Sequence, residues 1–322
     1  MIPQHALVAV DYDDPVDALK VQLKAWKAET DAKLTIVGVA PKLSSSIRNA
    51  KVVSLAKDAE GMMINDLRDR LEELRDYVDP SAELHLLAGR TADEIIKAAL
   101  LHSADLVVKS ADKPIEEKLP LFGAVEKKLI RKCPVPVWII RQESSNTPRT
   151  VAVAIDNTDH AANVTEAELL AESLVNHAVD LAKRAGIGAI NIVHAWSPTG
   201  LHFLENPRSG LSPQEIESYV TEWQAVASSW LDGFISKVSE RHADCRITFT
   251  PVLVMGDARQ AVPRATAELQ ADILVIGSAN RSGLPGLFIG NTAEDVIDRT
   301  KCGVYVVKPE GFSSIIADYL KR

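Results

Sequence analysis

The sequence states one pattern twice. Its opening run, His5-Ala6-Leu7-Val8-Ala9-Val10-Asp11, returns as Thr150-Val151-Ala152-Val153-Ala154-Ile155-Asp156. Leu34-Thr35-Ile36-Val37-Gly38-Val39 returns as Ile190-Asn191-Ile192-Val193-His194-Ala195. Ser103-Ala104-Asp105-Leu106-Val107-Val108-Lys109 is answered by Gln270-Ala271-Asp272-Ile273-Leu274-Val275-Ile276-Gly277, and the run from Cys133 to Ile140 by Cys302 to Val307. A period of about 150 residues is domain-sized and too long for a solenoid. Each half is therefore a control for the other: a motif kept in one and lost in the other points to function more than to folding.

Within each half, short β-rich runs alternate with amphipathic stretches. The first half predicts strands at 6–10, 34–39, 83–87, 106–109 and 135–140, with helices at 15–32, 51–78, 92–101 and 125–132. Leu67, Leu71, Leu74 and Val78 recur at three- and four-residue steps and mark the buried stripe of the long charged helix. The second half predicts strands at 151–155, 189–195, 246–254, 273–277 and 304–307, with helices at 166–185, 213–241, 259–269 and 293–299. Residues 197–211 read as a loop. Trp223 and Trp230, with Val220 and Val226, read as a core stripe on the long helix; with the loop they also suggest an apolar pocket for a lipid or small metabolite.

Strands with few polar positions, separated by helices, are parallel and covered on both faces. The expected class is α/β, with two tandem doubly wound parallel sheets in a flavodoxin-like or Rossmann-like strand order. The divisions fall at 1–141 for the first domain, 142–149 for a polar linker ending in Pro148, 150–310 for the second domain and 311–322 for a tail.

The 36 basic against 44 acidic residues give a net charge of −8 with no basic stripe, which argues against direct nucleic-acid binding. No apolar run reaches membrane-spanning length, and the opening residues lead straight into a strand without a leader pattern. The expected location is the cytoplasm, where the three cysteines stay reduced. Cys133 and Cys302 stand at matching places before the last strand of each half. The eight histidines show no metal-ligand spacing, so no metal site is expected. Ser278 lies outside a Gly-x-Ser-x-Gly elbow, and there is no P-loop lysine, so no catalytic residues are assigned.

Doubly wound sheets bind ligands where strand order reverses, at the carboxyl ends of the strands. Two turns qualify in each half, after the first and the fourth strands. In the second half these are Asp156 and the glycine-rich stretch from Gly277 through Asn280, Arg281 and Gly290 to Thr292. The loop has two readings. Its free backbone N–H groups and the following helix dipole suit an anion, with Arg281 as a mobile cation. Alternatively Gly277 only permits a tight strand exit, Thr292-Ala293-Glu294-Asp295 is a capping box, and Asp156 caps its own helix.

Gly-x-x-Gly followed nine residues later by Gly-Ser or Gly-Thr, after a fourth strand, is a nucleotide signature of the universal stress protein family. This sequence resembles that family from residue 5 to about 310. The resemblance rests on the repeated first strand ending in Asp, the Ala271–Ser278 run, Arg281-Ser282-Gly283-Leu284 and the closing Cys-x-x-Val strand. It implies universal stress domains of adenine nucleotide alpha hydrolase-like fold and a non-enzymatic stress-response role. The alternatives are a domain pair that binds a non-nucleotide metabolite or lipid, a pure interaction module, and a weak ATP hydrolase.

The resemblance implies a nucleotide, ATP with magnesium or another adenine nucleotide, held by Asp156, Ala195, Met255, Gly256, Gly277, Asn280, Arg281, Gly290, Asn291 and Thr292. Asn280 and Asn291 replace the family's second glycine and its hydroxyl residue. It also implies pairing of the two domains through their last strands, with a homodimer as a further option. The first half loses the signature: Lys109 stands in place of Gly277, and 110–118 is charged and lacks glycine. Lys109 is expected to pair with Asp11.

Overall fold

The computed structural model describes residues 3–40, 50–111, 122–141, 147–156, 164–278, 290–309, 311–312 and 316. The first half runs β1 (His5–Asp11), α1 (Asp17–Ala28), β2 (Lys33–Ala40), α2 (Ala50–Val78), β3 (Glu83–Ala88), α3 (Thr91–Leu101), β4 (Leu106–Ser110), α4 (Ala124–Lys132), β5 (Val137–Ile140). The second runs β6 (Val151–Ile155), α5 (Val164–Ala185), β7 (Ala189–Trp196), α6 (Leu201–Leu204), α7 (Pro213–Arg241), β8 (Thr248–Met255), α8 (Ala258–Glu268), β9 (Ile273–Gly277), α9 (Asn291–Arg299), β10 (Gly303–Val307).

The strands form one ten-stranded sheet in the order β3-β2-β1-β4-β5-β10-β9-β6-β7-β8. Within each half the pairing is parallel and the order is the Rossmann-like one. The halves join where β5 and β10 pair antiparallel, with Tyr305 opposite Trp138. Above the seam, Lys127 of α4 meets Asp298 of α9 at 2.8 Å, and Arg131 meets Glu294.

Each face of the sheet carries an apolar layer that crosses the seam. Side chains of α1, α2, α5 and α7 fill one, and those of α3, α4, α8 and α9 the other. The stripe Leu67, Leu71, Leu74 and Val78 is buried as its spacing requires. The long helix α7 differs from expectation. Its buried face is Ala227, Leu231, Phe234 and Val238, while Val226 is exposed and Trp230 only partly covered. Ser212 caps α7 in a reciprocal box with Glu215. Residues 197–211 also differ: they hold α6 and a 3-10 turn at Pro207–Ser209, where Asn206 accepts from Arg208 N–H.

The ladder register revises how the halves align. Ala9 faces Lys109 and Ala154 faces Ile276, so Lys109 corresponds to Ile276, and Ser110, not Lys109, corresponds to Gly277. Val107 faces Val137 while Leu274 faces Val304. Cys302 therefore corresponds to Val135, and the residue matching Cys133 is Thr300. The helices agree: α4 and α9 each span nine residues and end on Cys133 and Thr300. The sequence match through cysteine is two residues out, because the eye follows the repeated Cys whereas the hydrogen bonds follow the strand.

Candidate functional site

β6 is flanked by β9 on one side and β7 on the other, so strand order reverses between β6 and β9. Their carboxyl ends open the crevice that this topology offers to a ligand. Asp156 follows β6 directly and is exposed. Gly277 closes β9 opposite Val307. A Cβ on Gly277 would lie 2.8 Å from Leu170 Cδ2, so this glycine lets α5 approach the strand end. Ser278 comes next; its N–H donates to the Val307 carbonyl at 3.0 Å. The Ser278 hydroxyl is buried and has no hydrogen-bond partner among the described residues.

From the other side come the ends of β7 and β8. Ala195 is partly buried against the layer that includes α8. Met255 is exposed, and its carbonyl accepts from Arg264. Gly256 turns the chain with φ +129, where a side chain is strained, and its N–H bonds the Trp196 carbonyl at 2.8 Å. Asp257 then caps α8 by accepting from Arg259 N–H. Asp156, Ala195, Met255, Gly256 and Gly277 thus line the carboxyl ends of four neighbouring parallel strands. Asn280 and Arg281 lie outside the described residues.

α9 runs back from this end of the sheet to the start of β10, so its first turn lies beside the crevice. Its cap is Gly290, which supplies no side-chain acceptor. Thr292 therefore is not the cap expected from the sequence; it is the second residue of the helix, two positions past the cap. Asn291 and Thr292 are exposed. The N–H groups of the first turn have no acceptor within the helix, and the dipole adds partial positive charge there. Glu294 in the same turn and Asp298 beyond it are engaged by Arg131 and Lys127 of the first half. An uncapped helix end, a glycine at the strand exit and an orphaned hydroxyl fit a phosphate group.

His194 points to the opposite face from Ala195. It is buried, with its ring 4.7 Å from that of Trp230 and Nδ1 3.4 Å from the Ile155 carbonyl. Burial lowers its pKa, against the pull of the Ile155 carbonyl and Asp156.

The corresponding place in the first half is filled by charge. Lys109 is completely buried, and its Nζ lies 2.7 Å from Asp14 Oδ1, 2.5 Å from Glu126 Oε1 and 3.0 Å from the Ser110 carbonyl. The expected partner, Asp11, is not the one used. Asp11 instead accepts from Tyr12 N–H, while Asp14 folds back to accept from Asp11 N–H. Arg70 of α2 fastens this turn by donating to the carbonyls of Tyr12 and Asp14. Glu126 was not singled out in the sequence. Its signal is a carboxylate on α4 where α9 carries Ala293, opposite a lysine on β4 where β9 carries Ile276.

The pattern of the universal stress protein family matches residues 3–141 and again 148–308. Universal stress protein E of Salmonella typhi is 26% identical over 249 residues, covering 76% of this chain and 74% of that one. Two solved structures superpose along the whole chain. A functionally unknown protein of Pseudomonas aeruginosa PAO1 gives a TM-score of 0.59 at 22% identity, covering 99% of this chain and 96% of its own. A universal stress protein of Archaeoglobus fulgidus DSM 4304 gives 0.58 at 16% identity, covering 95% and 98%.

Proposed function

The chain belongs to the universal stress protein family, and on that premise we propose that it is a non-enzymatic stress-response protein holding an adenine nucleotide, ATP with magnesium, in its second half. In this reading 1–141 and 150–310 are the two universal stress domains, joined by 142–149 and followed by the tail 311–322. The observation that carries the nucleotide is the first turn of α9, uncapped at Gly290 and exposed at Asn291 and Thr292, beside the β6–β9 reversal. The triphosphate takes the amides of Gly290, Asn291 and Thr292, with Gly277 and the segment of Asn280 and Arg281 around it. Asp156 takes the ribose, and the strand ends at Ala195, Met255 and Gly256 take the base. The first half is a scaffold: its equivalent place is filled by Lys109, and α4 offsets the acidic charge of α9 with Arg131 and Lys127.

Titration calorimetry with ATP and magnesium tests this. Wild type is expected to bind, Gly290→Val to lose binding, and Asp156→Ala to bind roughly tenfold more weakly, about 1.4 kcal/mol. No heat with wild type would sink the nucleotide. Sustained phosphate release that disappears in Asp156→Ala would replace the binding role by an enzymatic one.

A further inference from the structure

A separate cluster sits in the first half, on the edge strand β3. Glu83 and His85 are two apart, so both side chains leave one face of the strand. That face is the one α3 covers, because Leu84 and Leu86 pack into the opposite layer. α3 ends at Leu101 and delivers His102 as the residue that follows. Glu83 Oε2 lies 3.7 Å from His85 Nε2 and 3.9 Å from His102 Nδ1. The two imidazole centroids are 4.6 Å apart, and one ligand atom from each of the three residues falls within 4.8 Å of the others. His85 Nε2 is shielded from solvent and has no hydrogen-bond partner among the described residues.

We propose that Glu83, His85 and His102 bind a divalent transition-metal ion of the zinc class, with water in the remaining position. Around an ion with bonds of about 2.0–2.1 Å, tetrahedral donors stand roughly 3.3 Å apart. The observed spacings reach that by side-chain rotation alone, since the backbone already places all three groups together. Two imidazoles and one carboxylate suit zinc, cobalt or nickel; magnesium and calcium prefer oxygen throughout. The carboxyl end of α3 adds partial negative charge, and no lysine or arginine occupies its last turn. Lys33 pairs with the other carboxylate oxygen, Glu83 Oε1, at 2.7 Å, which orients the group and leaves Oε2 for the ion. A strand residue pair and a helix end, seventeen and nineteen residues apart, explain why no local sequence spacing announces the site.

The test uses the full chain stripped with chelator and titrated with zinc, with cobalt as the spectroscopic probe. One ion per chain is expected, with a tetrahedral cobalt visible band. His85→Ala and His102→Ala should each weaken zinc by more than about tenfold, and Glu83→Gln should weaken it while keeping the fold. His202→Ala, in the second half, should change nothing. Zinc should also raise the melting temperature of wild type but not of the His85→Ala/His102→Ala variant. Zinc binding unchanged in those variants, absent in wild type at about 100 μM, or displaced by excess magnesium would overturn the site.

Discussion

Lys109 and Glu126 are both fully buried, and Nζ of the one lies 2.5 Å from Oε1 of the other, with Asp14 a further partner at 2.7 Å. Buried charges tolerate each other only as a set: removing one partner strands the rest in a low-dielectric interior, at about 3–5 kcal/mol. Lys109→Met is therefore expected to lower stability by that amount in urea denaturation. The triple change Asp14→Asn, Lys109→Ile, Glu126→Ala takes the last two residues from Ile276 and Ala293, and should regain most of the loss. Equal damage in single and triple variants would show that shape, not charge, holds the site.

The ion pairs over the seam should matter little to stability. Lys127 and Asp298 are each about a quarter exposed, at 24% and 27%. A double-mutant cycle on this pair is expected to give a coupling of about 0.2–1 kcal/mol that fades in about 1 M salt. A larger, salt-insensitive coupling would contradict the view that the apolar layers and β5–β10 hold the halves together.

His177 gives the fold an acid limit. Burial pushes its imidazole down to about 4, whereas in the unfolded chain it titrates near ~6.5. Between those values the unfolded chain holds the extra proton, so stability rises with pH. The contribution is complete above about 6.5 and is lost as pH falls toward 4, roughly 3 kcal/mol over the window. His177→Phe, which keeps a ring beside Tyr305, should flatten the stability profile across that range. An unchanged profile would assign the acid sensitivity elsewhere.

The thiols should separate by burial. Burial pushes Cys133 up to about 11 and Cys302 up to about 12, whereas Cys245 is only half-buried. In a thiol titration at about pH 8, one of the three cysteines is expected to react in the native protein and all three after unfolding. Rapid native labelling of Cys133 would contradict its enclosed position.

Strand and helix periodicity carried the architecture into the sequence, because parallel strands buried on both faces leave unbroken apolar runs such as Ala6–Val10 and Ile273–Gly277. The Leu67-Leu71-Leu74 stripe was equally legible. What failed depended on pairing across space. Lys109 chose Asp14 over Asp11 because the turn held by Arg70 brings Asp14 inward. The cysteine alignment slipped because hydrogen-bond register, not residue identity, sets which positions correspond. Glu83, His85 and His102 meet only once β3 and α3 are packed. α7 buries Ala227, Leu231 and Phe234, and of the stripe read from the sequence Trp230 packs against that layer while Val226 faces outward.

The antiparallel contact of β5 with β10 has an evolutionary meaning. Two identical subunits joined through such strands obey a two-fold rule: every substitution appears on both sides at once. Here the two sides are parts of one polypeptide, tethered and so held together at any dilution. Each side is then free to vary by itself. Trp138 against Tyr305, Lys109 against Ile276 and Glu126 against Ala293 are asymmetries that a symmetric dimer has no means to keep. Covalent linkage lets two halves of one architecture differ residue by residue.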